Sequence, residues 1–358
     1  MDALKQGFGL ACRWSGLAVA VVLLGVFASL PFAGQWIGAP WLSLAVTYLA
    51  IPVLDHWVGP PRVRREPSRF SQAAARWVPR LYVAFHAAVL LAALSWAAIL
   101  DWSELLIFAL AVGNVTGGLG ITVAHELGHR QNRFDRLLAK ALLVSVGYGH
   151  FYVEHNRGHH VRVATPDDPA TARRGQTVYA FWWQSVAGSW MHAWRLEAMR
   201  LAYRGRAAWH PSNWTLASAV LTATAATAIG VTLGPKALAL FAVQAVFALT
   251  LLEIVNYIEH YGLERARIDA GGYEPVRPAH SWNANFAISN FLLFNLQLHA
   301  DHHLHMDKVF DRLESMDEAP QLPAGYPTLV LASLLPPLWR ALIDPRLPPD
   351  AGWPTLAA

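Results

Sequence analysis

The sequence predicts an all-α protein that crosses a membrane several times. Of its 358 residues, 54% are hydrophobic and only 15% are charged. The mean hydropathy of +0.29 is too apolar for an ordinary soluble domain. Long apolar segments recur along the chain, and nine of the 16 histidines collect in four clusters at their ends. These observations indicate a polytopic membrane protein with a histidine-rich site at one face.

Six segments have the length needed to span a bilayer core, for which about 20 apolar residues suffice. They form three hairpins with short connections. We predict spans at residues 15–34, 36–56, 80–100, 104–124, 214–234 and 236–257. Residues 1–345 then form one membrane-embedded domain, and residues 346–358 form a loose tail. Lys5 and Arg13 also fit a signal peptide, but the length of the first span and the second span that follows it favour an uncleaved helix.

Basic residues predict the orientation of these spans. The connections between hairpins are strongly basic, whereas those within hairpins are nearly free of positive charge. The basic residues are Arg62, Arg64, Arg65, Arg69, Arg76, Arg80, Arg130, Arg133, Arg136 and Lys140. By the positive-inside rule, the long connections and both termini lie in the cytoplasm. All four histidine clusters then fall on the cytoplasmic side of a bacterial-type inner membrane.

The histidine clusters predict a metal site. Their members are His125, His129, His155, His159, His160, His260, His299, His302 and His303. Histidines three or four residues apart project from one helical face. A single histidine is most often a surface or packed residue, but nine in this arrangement indicate metal ligands. Nine imidazoles exceed what one ion binds, so two ions are expected.

Cysteine usage limits the chemistry further. Cys12 is the single cysteine, which excludes a disulfide framework, a thiolate zinc site and a built-in iron–sulfur or rubredoxin module. Any electrons must therefore come from another protein. Nothing in the sequence supports nucleic-acid binding.

Several motifs resemble those of the integral-membrane alkane 1-monooxygenases, which are related to membrane fatty acid desaturases. The motifs are HELGHR (125–130), EHNRGHH (154–160), NYIEHYGL (256–263), LQLHADHHLH (296–305) and DEAPQLPAGYP (317–327). The likeness covers essentially the whole chain. One departure is Leu298, which stands where many members have arginine.

This resemblance implies a six-helix fold that holds two non-haem irons on the nine histidines. It implies O2 as co-substrate, and rubredoxin with its reductase as electron donor. The reaction would hydroxylate the terminal methyl group of an alkane to a 1-alkanol, with the hydrocarbon arriving from the membrane lipid. A net charge of +4 suits an acidic rubredoxin, although membrane topology and anionic lipid explain the same basic residues.

Other functions fit parts of this pattern. An aryl-methyl hydroxylase of the xylene type or a membrane lipid desaturase could use the same scaffold. The sequence HELGH also matches the HExxH motif of zinc proteases, which would leave most histidines unexplained. A metal transporter would place polar residues along a path through several spans. Opening an unpolarised methyl C–H bond requires redox chemistry that zinc lacks.

Side chains that support the ligands are harder to predict. Metal-bound histidines usually donate their second N–H group to a carboxylate or carbonyl. The candidates are Asp55, Glu126, Glu259, Asp301, His150 and His280. Further candidates are Glu154, Asp167, Asp168 and Glu253, although Asp167 and Asp168 could merely shape the turn after Pro166. Thr47 and Ala50 precede Asp55 on the second span and are predicted to line a substrate channel.

Overall fold

The computed structural model describes residues 17–60, 69–268 and 271–348, with side chains from residue 24 in the first segment and residue 72 in the second. Within these residues the fold is all-helical, as predicted, and β structure is limited to isolated bridges such as Asn283–Leu298. Most of the predicted tail, from residue 349 onward, lies outside the described residues.

The helices follow one another closely along the chain. They are α1 (Leu17–Trp36), α2 (Leu42–Val58), α3 (Arg69–Trp96), α4 (Trp102–His129), α5 (Arg133–Ser145), α6 (151–162), α7 (Val178–Ala202), α8 (Trp214–Leu233), α9 (Pro235–His260), α10 (Ala287–Leu292), α11 (His299–Leu304), α12 (Tyr326–Ser333) and α13 (Pro336–Ile343). Short π-helical turns interrupt α2, α4 and α6.

Helices occupy all six predicted spans. Four segments are long and apolar enough to cross a membrane within the described part of the chain: Gln72–Trp96 of α3, and α4, α8 and α9. α2 is apolar but shorter. Six crossings therefore remain a prediction, whereas the described residues form an all-helical fold with four candidate crossings.

The third helix differs from its prediction because it begins before residue 80 and ends at Trp96. The predicted span began at residue 80, after several arginines, but the helix includes Arg69, Arg76 and Arg80. Arg80 donates from Nε and from Nη2 to the buried carboxylate of Asp135, at 2.7 and 2.9 Å. A residue of α5 thus neutralises Arg80 within α3. The next helix begins at a capping box in which Asp101 accepts from the backbone N–H of Glu104 at 2.8 Å.

Small residues bring α4 and α9 close together. A Cβ atom on Gly113 would come within 2.9 Å of the Gln244 carbonyl oxygen, and one on Gly117 within 2.9 Å of the Ala248 Cα. Such close approach of helix backbones is typical of packing inside membranes. Thr116 donates to the Gln244 side chain at 2.8 Å in the same interface. The paired helices end at His129 and His260, so their packing fixes two histidine-bearing ends beside each other.

Candidate metal centre

The nine clustered histidines lie together in two groups. Within each group the ligand nitrogens all lie within 4.8 Å of one another. The first group is His125, His129, His155, His160 and His302, and the second is His159, His260, His299 and His303. Helices α4, α6, α9 and α11 supply them, so neither group can form without tertiary packing.

In the five-histidine group, Nε2 atoms face one another at short range. His125 Nε2 lies 3.0 Å from His302 Nε2, and His155 Nε2 lies 3.0 Å from His129 Nε2. The Nε2 atom of His160 is 3.1 Å from those of His155 and His302. Two nitrogens about 2.1 Å from one ion and at right angles to each other are about 3.0 Å apart. The spacing therefore fits five imidazoles around one ion.

The four-histidine group has the same geometry. His299 Nε2 lies 3.2 Å from His260 Nε2 and 3.0 Å from His303 Nε2. The His159 ring is 4.7 Å from that of His260 and 4.8 Å from that of His303, measured between centroids. The two groups are adjacent, since the rings of His160 and His303 are 4.6 Å apart. The arrangement fits two neighbouring ions rather than one.

A π-helical turn divides the second histidine cluster between the groups. His155–His159 form this turn, in which hydrogen bonds join residues five apart. His155 and His160 consequently face the five-histidine group, while His159 faces the other. The sequence-based expectation was an i, i+4 pair of His155 with His159. The wider turn changes that pairing because it rotates successive side chains less than an α-helix does.

Burial keeps these imidazoles in the form that binds metals. It lowers the pKa of His155, His160, His299, His302 and His303 well below the ordinary value of 6.5, because the protonated rings would lose their hydration. Neighbouring imidazoles add repulsion between protonated rings. Neutral histidine keeps one nitrogen lone pair free for a metal.

One carboxylate lies behind a grouped histidine as the metal-site hypothesis requires. Asp168 Oδ2 is 2.9 Å from His159 Nδ1, on the side of the ring opposite Nε2. Its oxygens also accept from the Thr171 hydroxyl at 2.9 Å and the Ala170 backbone N–H at 3.0 Å. Asp168 thus both shapes the turn and holds His159. The sequence offered these two roles as alternatives.

Glu259 occupies a different position. Its Oε2 lies 3.3 Å from His299 Nε2, the atom that faces the other ligand nitrogens. Its Oε1 accepts from the Tyr326 hydroxyl at 2.9 Å. Both side chains are buried. Glu259 therefore borders the metal-facing side of the four-histidine group rather than supporting a ring from behind, and Tyr326 is a partner that sequence reasoning missed.

The carboxylates of Asp55 and Glu126 bind partners other than the grouped histidines. Asp55 Oδ1 accepts from the backbone N–H groups of Ile288 and Ser289, each at 3.0 Å, and so caps the start of α10. Glu126 pairs with Arg130 one helical turn later, at 2.9 Å. Neither makes a hydrogen bond to a grouped histidine among the described residues. Sequence position could not reveal this, because the N-terminus of α10 approaches α2 only in the folded chain.

Asp301, His150 and His280 likewise lie outside the two groups. Asp301 accepts from the His305 ring at 2.7 Å and from the Lys308 ammonium at 2.6 Å. His150 packs against the Trp190 ring at 5.1 Å between centroids. His280 Nδ1 accepts the Arg277 backbone N–H at 2.9 Å. Local hydrogen bonds thus account for Asp301 and His280, and ring packing accounts for His150.

An apolar cavity that is open at one end adjoins both histidine groups. Ten leucine, isoleucine and phenylalanine residues belong to its wall, and His125, His155 and His299 border it. Thr47 lines it, and its role in a substrate channel stays a prediction. Ala50 does not; it is exposed on another side of α2. The π-helical turn Val46–Ala50 rotates position 50 away from position 47, and Ile51 lines the wall instead.

Two groups of histidines beside an apolar cavity, three of them at the ends of candidate membrane-crossing helices, indicate a membrane-bound metalloenzyme. Comparison with known proteins shows which family within this class the chain resembles. Residues 101–331 match the family described as fatty acid desaturase. The chain is 37% identical to an alkane 1-monooxygenase of Ectopseudomonas oleovorans, over 92% of this chain and 86% of that protein.

Two further relatives have related names. Alkane 1-monooxygenase 2 of Pseudomonas aeruginosa is 40% identical over 86% of this chain and 84% of its own length. The xylene/toluene monooxygenase hydroxylase component of Pseudomonas putida is 33% identical over 66% of this chain and 63% of its own length. The chain belongs to the alkane 1-monooxygenase family, and it is an oxidoreductase of the monooxygenase type.

Proposed function

We propose that this protein hydroxylates the terminal methyl group of alkanes, with O2 and with electrons from rubredoxin and its reductase. The observation that carries the proposal is the pair of histidine groups, five and four, that borders an apolar cavity. The alkane 1-monooxygenase relatives support the reaction class.

Two iron ions are the proposed occupants of the histidine groups. Five nitrogens exceed the four ligands typical of structural zinc, and a purely imidazole donor set suits iron. When bound, such ions supply the redox chemistry with O2 that acid–base groups cannot provide. His125, His129, His155, His160 and His302 would hold one ion. His159, His260, His299 and His303 would hold the other.

The remaining side chains prepare the site for an apolar substrate. Asp168 fixes the His159 ring and its tautomer, so that Nε2 keeps its lone pair toward the centre. The cavity wall excludes water and aligns a linear chain toward His125 and His299. The surface exposed inside the cavity is mostly apolar, so hydrocarbon recognition depends on shape and on release of apolar surface from water.

Two other reactions remain candidates on this scaffold. The xylene/toluene monooxygenase relative favours an aryl-methyl substrate as the alternative, and the match to fatty acid desaturases favours lipid desaturation. A protease is disfavoured, because Glu126 of the HELGH sequence pairs with Arg130 and both of its histidines join three others.

The inner membrane, with the metal centre toward the cytoplasm, is the proposed location. Arg130 and Arg136 lie close to the histidine end of α4, and Arg157 lies within α6. Basic residues at this end agree with the positive-inside rule and with the approach of an acidic electron donor.

The decisive experiment incubates membranes containing the protein with ferrous iron, rubredoxin and its reductase. Dodecane, dodecanoic acid and an alkylbenzene serve as separate substrates. We expect 1-dodecanol from dodecane and about two irons per purified chain, as the two groups require. A His302→Ala variant provides the inactive control. Stoichiometric zinc, or alkenes instead of alcohols, would contradict the proposal.

A further inference from the structure

A small polar cluster interrupts the apolar wall of the cavity. Asn114 of α4 and Thr47 of α2 both line the cavity, and Ser43 lies one turn before Thr47. Asn114 is 11 positions before His125, so it lies about 16 Å from it along the helix axis. The cluster is therefore well removed from the histidine groups, at another part of the same cavity.

Each hydrogen-bond donor among the three side chains already has an acceptor. The Thr47 hydroxyl donates to the Ser43 carbonyl oxygen at 2.8 Å. Asn114 Nδ2 donates to Thr47 Oγ1 at 2.8 Å and approaches the Ser43 carbonyl oxygen at 3.4 Å. The Ser43 hydroxyl donates to the Ala111 carbonyl oxygen at 3.1 Å. What remains is acceptor capacity, on Asn114 Oδ1 and on the second lone pair of Thr47 Oγ1.

The orientation of the Asn114 amide is fixed by these partners. The Ser43 carbonyl can only accept, and the single Thr47 proton is directed toward that same carbonyl. A flipped amide would place its oxygen against two acceptors. Asn114 Oδ1 is therefore the free atom, and it is buried without a hydrogen-bond partner while the residue as a whole is 1% exposed. Such a buried acceptor is destabilising unless a donor reaches it.

We propose that Asn114 and Thr47 form a hydroxyl-binding subsite that takes the polar end of a long-chain primary alcohol. This inference rests on the proposed function. With the hydroxyl donating to Asn114 Oδ1, a linear chain extends through the apolar cavity and its methyl end reaches the histidine groups. With carbon–carbon bonds of about 1.5 Å in zigzag, a chain of roughly a dozen carbons spans the distance of about 16 Å along the helix axis between Asn114 and His125.

The resulting activity is the conversion of a primary alcohol to an α,ω-diol. The methyl C–H bond breaks, and one oxygen atom of O2 forms the new C–O bond. The other oxygen atom leaves as water, with two electrons and two protons from the donor protein and solvent. The subsite selects a donor group: a methyl ether or a carboxylate of equal length can only accept, so it leaves Asn114 Oδ1 unpaired.

Thermal unfolding of the purified metal-loaded protein tests binding. The ligands are 1-dodecanol, undecyl methyl ether, which has the same number of heavy atoms, and dodecane. The proteins are the wild type, Asn114→Leu and the control Thr232→Val. Thr232 is an exposed residue of α8 whose hydroxyl bonds within its own helix at 2.7 Å. We expect 1-dodecanol to raise the Tm more than the ether does in the wild type and the control. In Asn114→Leu the two ligands should act alike.

Product analysis with electron supply tests the activity. We expect 1,12-dodecanediol from 1-dodecanol, and a preference for alcohol over ether that falls roughly five- to tenfold in Asn114→Leu. Equal Tm shifts for alcohol and ether in the wild type, or an unchanged preference in the variant, would overturn the inference. If dodecane yields no alcohol while the Tm difference persists, the proposed function fails and the hydroxyl subsite stands.

Discussion

Asp168 Oδ2 lies 2.9 Å from the Nδ1 atom of His159. The carboxylate is fully buried and is itself held by the Thr171 hydroxyl. This contact orients an imidazole whose Nε2 belongs to the four-histidine group. It connects the loop after α6 with the metal centre. Because it involves a histidine of one group only, a substitution at Asp168 should affect one of the two proposed ions and not the other.

Replacement of Asp168 by alanine should weaken metal binding at the four-histidine group. Loss of a carboxylate behind a histidine ligand typically reduces metal affinity about 10- to 100-fold. We expect iron content to fall from two toward one per chain in elemental analysis after dialysis. Asp167→Ala is the matched control, because Asp167 is adjacent but exposed. Equal iron content in both variants would argue against this role.

His302 and His303 are neighbours in the chain but belong to different groups. His302→Ala should therefore release the ion of the five-histidine group, and His303→Ala the ion of the other group. Each variant should retain about one iron, with different Mössbauer spectra because the remaining ion has different ligands. His305→Ala should keep both irons, since its ring pairs with Asp301 instead. Identical spectra from the first two variants would refute the division into groups.

A tryptophan at position 47 should shorten the preferred substrate. Thr47 lines the cavity, whereas Ala50 is exposed on another side of the same helix. We expect Thr47→Trp to lower kcat/KM for hexadecane at least about tenfold relative to octane, because the added ring blocks the cavity. Ala50→Trp should leave the ratio of the two substrates unchanged. The measurement is a competition assay with both alkanes and gas-chromatographic detection.

Glu264 should make stability depend on pH. Burial raises its pKa from 4.5 to about 7, partly offset by Arg173. The folded protein thus binds more protons than the unfolded chain between pH 4.5 and 7. Stability therefore falls as pH rises through this window. We expect Glu264→Gln to raise the Tm at pH 8 but not at pH 4.5. The same Tm gain at both pH values would contradict the assignment.

Composition and local pattern determined where the long helices lie and which histidines come together. Hydropathy located helices at every predicted span, because bilayer thickness imposes a minimum apolar length. Imidazole chemistry singled out the nine histidines that the folded chain brings together. Boundaries were less predictable: α3 begins before residue 80, and Arg80 inside it pairs with Asp135 of another helix.

Tertiary structure alone decided how those histidines are divided and which carboxylate supports them. His155 and His160 share a group because a π-helical turn separates them, and i, i+4 periodicity cannot anticipate such a turn. Asp168 contacts a histidine whereas Asp55 caps a distant helix, although both are buried acids near the site. Spacing along the chain specifies residue types and faces, but long-range packing specifies which atoms meet.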